Sequence, residues 1–406
     1  VTGFTAIADD LTGACDVAAE LAAAGQRVLV AVDAGGDCER DRESIVIVNT
    51  QSRSLEPRVA YARVRDVLLV RRAPVVLKKI DTALRGHLGA ELDGALDALG
   101  APAFVLAAIP GSGRVTRNGC QWFGGRPLAA TEFARDPEGP GPVSSIPEVL
   151  GRESRRRVAV IGREVVRAGR LAGEVDRHRH EGVDVFVVDA ESDDDVGTAV
   201  AAILALGKPV CLAGSIALAA ALVPHLGASG RAERASSHGV PLPALIVSGS
   251  LHSRARAQVE AVLATGRAVA VTVPPREADS AALASVAAAA EATLASGTSV
   301  VMALPAPASM PSADVLRATE QALAELVGRI AGRVAIPTLV VIGGETSHAV
   351  LTRLGAGMIE VTGRIAPLIA RGTIRQGTAA GSVVITKGGS GGEPDVIAHL
   401  IRTGEG

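Results

Sequence analysis

At 406 residues the chain exceeds what one ordinary hydrophobic core organises, so two domains are expected. A formal net charge of −2 with 21% charged residues leaves no basic footprint for nucleic acid, and no apolar run reaches membrane-spanning length. Aromatics are only 2% against 48% hydrophobic residues, and the four cysteines (Cys15, Cys38, Cys120, Cys211) show neither zinc spacing nor a disulfide framework. With no basic-then-apolar leader in the sequence, the cytoplasm is the expected compartment.

The chain opens with an apolar run, Phe4 to Ala8, that stops at Asp9-Asp10 and then runs through Thr12-Gly13 into an Ala/Leu-rich segment ending at Gly25. This order predicts a strand, a tight turn and a helix. Two carboxylates at a strand end suit a polyhydroxylated ligand, whereas a single one would suffice to cap the helix; both uses stay open. Val28 to Val32, Ile45 to Asn49 and Val75 to Lys79 are further strands, with a helix over Pro57 to Val70, so βαβ units around a mostly parallel sheet are expected. At the end of the last strand, Lys78-Lys79-Ile80-Asp81-Thr82-Ala83-Leu84-Arg85-Gly86 crowds charge. Lys78, Lys79 and Arg85 are candidates to neutralise a carboxylate or phosphate, and Asp81 to bind a hydroxyl or take its proton. A surface ion-pair cluster capping the next helix is the alternative for that stretch; Arg53 follows another strand and points to the same sheet edge, with a plain loop cation as its alternative. Next come Gly111-Ser112-Gly113-Arg114 and Asn118-Gly119, the latter a hairpin signal.

The α/β rhythm resumes from residue 157, with a strand at Val158 to Ile161, one helix over Glu164 to His180, and strands at Val183 to Asp189 and Pro209 to Ala213. Residues 227 to 243 lose apolar periodicity and gain Gly, Ser and Pro, predicting a linker between domains 1–226 and 244–406. In the second domain, strands at Ala244 to Val247, Val269 to Val273, Ser299 to Leu304, Leu339 to Ile342 and Ser382 to Thr386 are expected, with a Pro/Ala/Ser loop at 305–311. Ser248-Gly249-Ser250, Gly343-Gly344-Glu345-Thr346-Ser347 and Lys387-Gly388-Gly389 each follow a strand. Glycine turns there let backbone N–H groups approach phosphates, with a helix behind to supply its dipole. Gly388 to Gly392 also matches G-x-S-x-G by letter, but Glu393-Pro394 interrupts the helix that a nucleophile elbow needs. There is no Walker-type glycine loop and no full dinucleotide fingerprint.

Taken together, Ala8-Asp9-Asp10-Leu11-Thr12-Gly13-Ala14, the 78–86 segment, Gly113-Arg114, Ala213-Gly214-Ser215, Ser248-Gly249-Ser250, Gly343 to Ser347 and Lys387-Gly388-Gly389 resemble the four-carbon acid sugar kinase family, in the family's order and over nearly the whole chain. The resemblance implies an N-terminal sugar-acid-binding domain and a C-terminal nucleotide-binding domain, each α/β with a mostly parallel sheet, and an active site in the cleft between them. It implies ATP-dependent phosphorylation of a threonate, erythronate or oxo-tetronate with Mg²⁺. Carried over residue by residue, Asp9, Asp10, Arg53, Lys79, Asp81 and Arg85 fall on the acid side, with Arg53, Lys79 and Arg85 as the carboxylate clamp. Either Asp81 or Asp10 would accept the hydroxyl proton. Ser250, Gly343, Gly344, Glu345, Thr346 and Gly388 fall on the ATP side, and Glu345 would help hold Mg²⁺. Two departures stand out: Thr82-Ala83 replaces the family's usual Ser-Thr, and Ser390-Gly391-Gly392 replaces an Asn- or Phe-containing turn. The rival classes are a non-catalytic sugar-acid binding protein and, without the fingerprint it needs, an NAD-dependent oxidoreductase. A homodimer is expected only from the prevalence of two-fold symmetry.

Overall fold

The computed structural model describes residues 3–35, 44–136, 139–227, 239–273, 280–304 and 312–404. Cys38, most of the expected linker and the expected 305–311 loop lie outside the described residues. The chain folds into two compact units, one of Val1–Ala24 with Ile45–Ser229, the other of Gly25–Ser44 with Gly230–Gly406. Residues 25–44 thus sit with the C-terminal half, where the sequence reading runs them on within 1–226. No helix of the described residues is long and apolar enough to cross a membrane.

In chain order the strands through the first unit are β1 (Phe4–Ala8), β2 (Val28–Ala31), β3 (Ile45–Asn49), β4 (Val75–Lys79), β5 (Ala103–Leu106), β6 (Arg114–Arg117), β7 (Cys120–Phe123), β8 (Arg126–Pro127), β9 (Arg157–Ile161), β10 (Val183–Val188) and β11 (Val210–Gly214). The helices are α1 (Leu11–Ala23), α2 (Pro57–Val70), α3 (Leu88–Leu99), α4 (Ile146–Gly151), α5 (Arg163–Arg167), α6 (Leu171–His180), α7 (Asp193–Leu204) and α8 (Ile216–Leu222). β3-β1-β4-β11-β5-β10-β9 form an all-parallel sheet in that order. β4 and β11 are buried along their whole length, as expected of strands covered on both faces. The single helix expected over 164–180 is two, because Gly169 takes φ +68° and breaks the turn between them. β6, β7 and β8 make a separate antiparallel ribbon whose first turn is Asn118-Gly119, both at positive φ, as the sequence signal predicts.

The second unit adds β12 (Ala244–Ser248), α9 (Ser253–Ala264), β13 (Ala268–Ala270), α10 (Ser280–Ala295), β14 (Ser299–Ala303), α11 (Ala313–Ala331), β15 (Thr338–Ile342), α12 (Gly344–Arg353), β16 (Met358–Ala366), β17 (Ile369–Ile374), β18 (Val383–Lys387) and α13 (Val396–Thr403). β13-β14-β12-β15-β18 are parallel, and β17, β16 and β2 extend the sheet antiparallel. Its core is aliphatic: Ile246, Val262, Val301, Val340, Ile342, Ile385, Ile397 and Ile401 pack together.

In each sheet two adjacent parallel strands have connections that diverge. β1 leads outward to β3 while its neighbour β4 leads the other way to β5; likewise β12 leads to β13 while its neighbour β15 leads on to β16. Connections that diverge from adjacent parallel strands leave a crevice at the strands' carboxyl ends, the usual ligand position in open α/β sheets. The two crevices are therefore at Ala8/Lys79 and at Ser248/Ile342, which are register partners in their sheets.

Candidate functional site

The crevice of the first unit collects every acid-side residue expected from the sequence. β1 delivers Asp9 and Asp10, the end of β3 delivers Arg53, and β4 delivers Lys79 and Asp81. Asp10 caps α1, its Oδ1 accepting from Gly13 N at 3.0 Å and its Oδ2 from the Thr12 hydroxyl at 2.6 Å. Arg53 Nε donates to Asp9 Oδ2 at 2.9 Å, and Nη1 and Nη2 donate to Asp10 Oδ2 and Oδ1 at 3.0 and 2.8 Å. The capping role expected of the pair falls to Asp10, which is also a partner of Arg53, while Asp9 pairs with Arg53 alone among the described residues. Burial pushes the Asp9 carboxyl up, but Arg53, Lys78 and Lys79 outweigh it and hold it below the usual range. Asp9 Oδ1 is buried with no hydrogen-bond partner among the described residues, an acceptor that a ligand hydroxyl would satisfy.

Arg85 closes back on Asp81 through Nε (2.7 Å to Oδ2) and Nη2 (3.3 Å to Oδ1), and also reaches Asp136 at 3.4 Å. Leu84 at φ +60° bends the loop that allows this. Burial raises the Asp81 carboxyl, yet Arg85, Arg53 and Lys79 drive it far below the carboxylate range. Arg53 and Arg85, expected to clamp a ligand carboxylate, therefore have their principal donors committed to Asp9, Asp10 and Asp81. Lys79 differs: its ammonium donates to Ile80 O at 2.9 Å and makes no ion pair among the described residues. A Cβ on Gly13 would lie 3.1 Å from that nitrogen, which places it against the first turn of α1. Beneath these groups Lys78 and Glu91 form a buried pair at 2.9 Å, and Glu91 also accepts from the Ser52 hydroxyl. Ser52 N in turn donates to Asp9 O at 3.0 Å, so the pair braces the strand ends that carry Asp9 and Arg53.

The second crevice is built from three glycine turns that touch. Gly343, at φ +119° and ψ 135°, ends β15 and starts α12, and a Cβ there would sit 3.0 Å from Thr346 Oγ1 and 3.7 Å from Ser250 N. A Cβ on Gly249 would fall on the same Thr346 hydroxyl, and one on Gly389 would strike Ser250 Oγ. Thr346 Oγ1 is buried without a hydrogen-bond partner among the described residues. Gly344 and Glu345 occupy the first turn of α12, where backbone N–H groups have no intrahelical acceptor and the helix dipole is positive. Gly388 follows β18, and the buried Lys387 ammonium donates to Gly388 O at 2.7 Å, fixing that turn. Glycine turns beside a helix start can accept an anionic group, and here hydroxyl groups lie at their rim. Among the described residues no three His, Cys, Asp or Glu side chains converge as a metal set.

The comparisons fit this division. Residues 4–222 match a sugar-binding N-terminal domain family, and residues 245–397 match a nucleotide-binding C-terminal domain family. The chain is similar over almost its full length to proteins named D-threonate kinase from Salmonella typhimurium, 32% identical over 97% of this chain and 96% of the relative, and from Bordetella bronchiseptica, 33% identical over 98% and 96%. The chain belongs to the four-carbon acid sugar kinase family. A Salmonella typhimurium crystal structure provisionally described as a tRNA synthase shares the fold, with a TM-score of 0.79 over 100% of both chains at 22% identity. Sequence reasoning about this acid sugar kinase left two residues without a role. Lys387 was legible as a lysine ending an apolar strand. Arg114 follows the left-handed Gly113 and donates from Nη1 to Thr82 Oγ1 at 2.6 Å, a contact no spacing reveals.

Proposed function

We propose that this acid sugar kinase transfers the γ-phosphoryl group of ATP to a hydroxyl of a four-carbon sugar acid, with D-threonate the first candidate because the similar relatives are named for it. The observation that carries the reading is the second crevice: three touching glycine turns, a helix start, and a buried Thr346 hydroxyl with no hydrogen-bond partner among the described residues. Ser250, Gly343, Gly344, Thr346 and Gly388 line the place for the β- and γ-phosphates. Glu345 would hold Mg²⁺ beside the phosphates, a use that one carboxylate can serve where no three-ligand set converges among the described residues, and the ion would neutralise phosphate charge.

On the acid side, Asp9 Oδ1 accepts a substrate hydroxyl. Asp10 has both carboxylate oxygens engaged, by Gly13 and Arg53 on one and by Thr12 and Arg53 on the other. That leaves Asp81, whose Oδ1 carries only the long contact to Arg85 among the described residues, to orient the reacting hydroxyl. Its depressed pKa makes it a weak base, which is adequate where the transition state is loose and the proton leaves late. A coupled ADP-release assay with ATP and Mg²⁺ across the threonate, erythronate and oxo-tetronate isomers tests the reading. ADP release that depends on one of these acids is expected. Acid binding by calorimetry with no acid-dependent ADP release would leave a binding protein instead.

A further inference from the structure

Arg53 and Arg85 are each held by the protein's own carboxylates, so the crevice must recognise a ligand's anionic end by other means. Arg114 is the guanidinium at this edge with no ion pair among the described residues. Its backbone is set by the Pro110–Ser112 turn and by Gly113 at φ +70°, with Ile109 N donating to Arg114 O at 2.8 Å and Arg114 N to Ile109 O at 3.2 Å across the loop. Its side chain is fixed from two directions. Nη1 donates to Thr82 Oγ1 at 2.6 Å, and the guanidinium carbon lies 4.6 Å from the centre of the Phe123 ring and 5.9 Å from that of Phe133. Thr82 is the residue directly after Asp81, so the fork is anchored next to the carboxylate assigned to the reacting hydroxyl. Burial lowers the Arg114 pKa below the ordinary arginine value, and the nearby Asp81 and Asp16 do not restore it. A half-buried, pre-oriented guanidinium with no ion pair among the described residues suits bidentate capture of a carboxylate.

We propose that Arg114, held by Thr82 and Phe123, receives the carboxylate of the four-carbon acid and so makes the site select acids over neutral polyols. The inference rests on the kinase reading above and assigns the one end of the substrate that reading left unassigned. An incoming carboxylate supplies the counter-ion that the fold withholds, and the Lys79 ammonium adds a second positive charge at the same sheet edge.

The test compares D-threonate with its neutral amide as phosphoryl acceptor in wild-type protein and in Arg114→Met, which keeps the apolar contact with Phe123. The acid-to-amide ratio of kcat/KM is expected to fall about 100-fold, the usual scale for truncating one side of a desolvated charge pair. Arg117→Met is the control: Arg117 sits on the same ribbon over Trp122, but is exposed and paired with Glu191. Its ratio should match wild type. An unchanged ratio in Arg114→Met, or the same fall in Arg117→Met, overturns the assignment. Should the Met variant melt early, Arg114→Gln, able to keep a bond to Thr82, gives the same ratio. Calorimetric titration of D-threonate into nucleotide-free protein reads Arg114 without turnover. Wild-type protein that binds the acid but releases no ADP overturns the kinase reading alone, while equal affinity in wild type and Arg114→Met overturns the role of Arg114 alone.

Discussion

Gly343→Ala tests the nucleotide crevice most directly. The native φ of +119° with ψ of 135° is a backbone region that L-residues avoid, and the added methyl would meet Thr346 Oγ1 at 3.0 Å and Thr346 Cβ at 3.5 Å. Holding a non-glycine residue in such a conformation costs roughly 1–3 kcal/mol, and the chain escapes that cost only by moving the turn away from its native path. That movement displaces the first N–H groups of α12 and the Thr346 hydroxyl together. If phosphate binding needs the native turn, the same 1–3 kcal/mol appears as a rise of about 5- to 150-fold in the KM for ATP. The assay is initial-rate ADP release with ATP varied at saturating acid, then acid varied at saturating ATP, beside a thermal melt. The KM for ATP should rise while that for the acid stays put, since Asp9, Arg53, Lys79 and Asp81 belong to the other unit. A folded Gly343→Ala protein with the wild-type KM for ATP would refute the placement of the phosphates at this turn.

Two further outcomes follow from the acid-side crevice. Lys78→Met strands the buried Glu91 carboxylate and should destabilise the first unit by about 3–5 kcal/mol, whereas Lys78→Met combined with Glu91→Leu should recover most of it; urea midpoints decide, and equal losses in the single and double variants would contradict the account. Asp81 has a folded-state pKa depressed below 3.8, so its contribution to stability is complete above that value and disappears only as pH falls through the folded pKa. Accordingly kcat/KM should show no acidic limb from Asp81 between about pH 5 and 8, and Arg85→Met, which lifts the carboxyl, should move an acidic limb toward that window.

The strand–turn–helix units around Asp9-Asp10, Lys79-Asp81 and Gly343-Gly344 were legible because each combines a short apolar run, a turn residue and a helical pattern. Which strands lie side by side was not, and it is adjacency that creates both crevices. β2 shows why: all four of its residues are buried, so its pattern would serve either sheet, yet it pairs antiparallel with β16. β16 and β17 were missed altogether, since Gly363 and the Pro367-Leu368 turn interrupt an otherwise alternating stretch. On the acid side the sequence announced how many cations would gather but not which anions of the protein would meet them. Arg53 and Arg85 therefore looked available, while Arg114, whose destination depends on the path of a glycine loop, stayed silent.

The excursion of residues 25–44 into the second unit has a practical consequence for dissection. A fragment begun at the apparent boundary near residue 244 would carry every strand of its sheet except β2, leaving the backbone of β16 from Met358 to Val361 unpaired along one side. Such a bare edge invites a neighbouring copy to dock where β2 belongs. Supplying 25–44 as a tethered peptide, or permuting the chain so that this segment leads directly into the C-terminal half, would seal it.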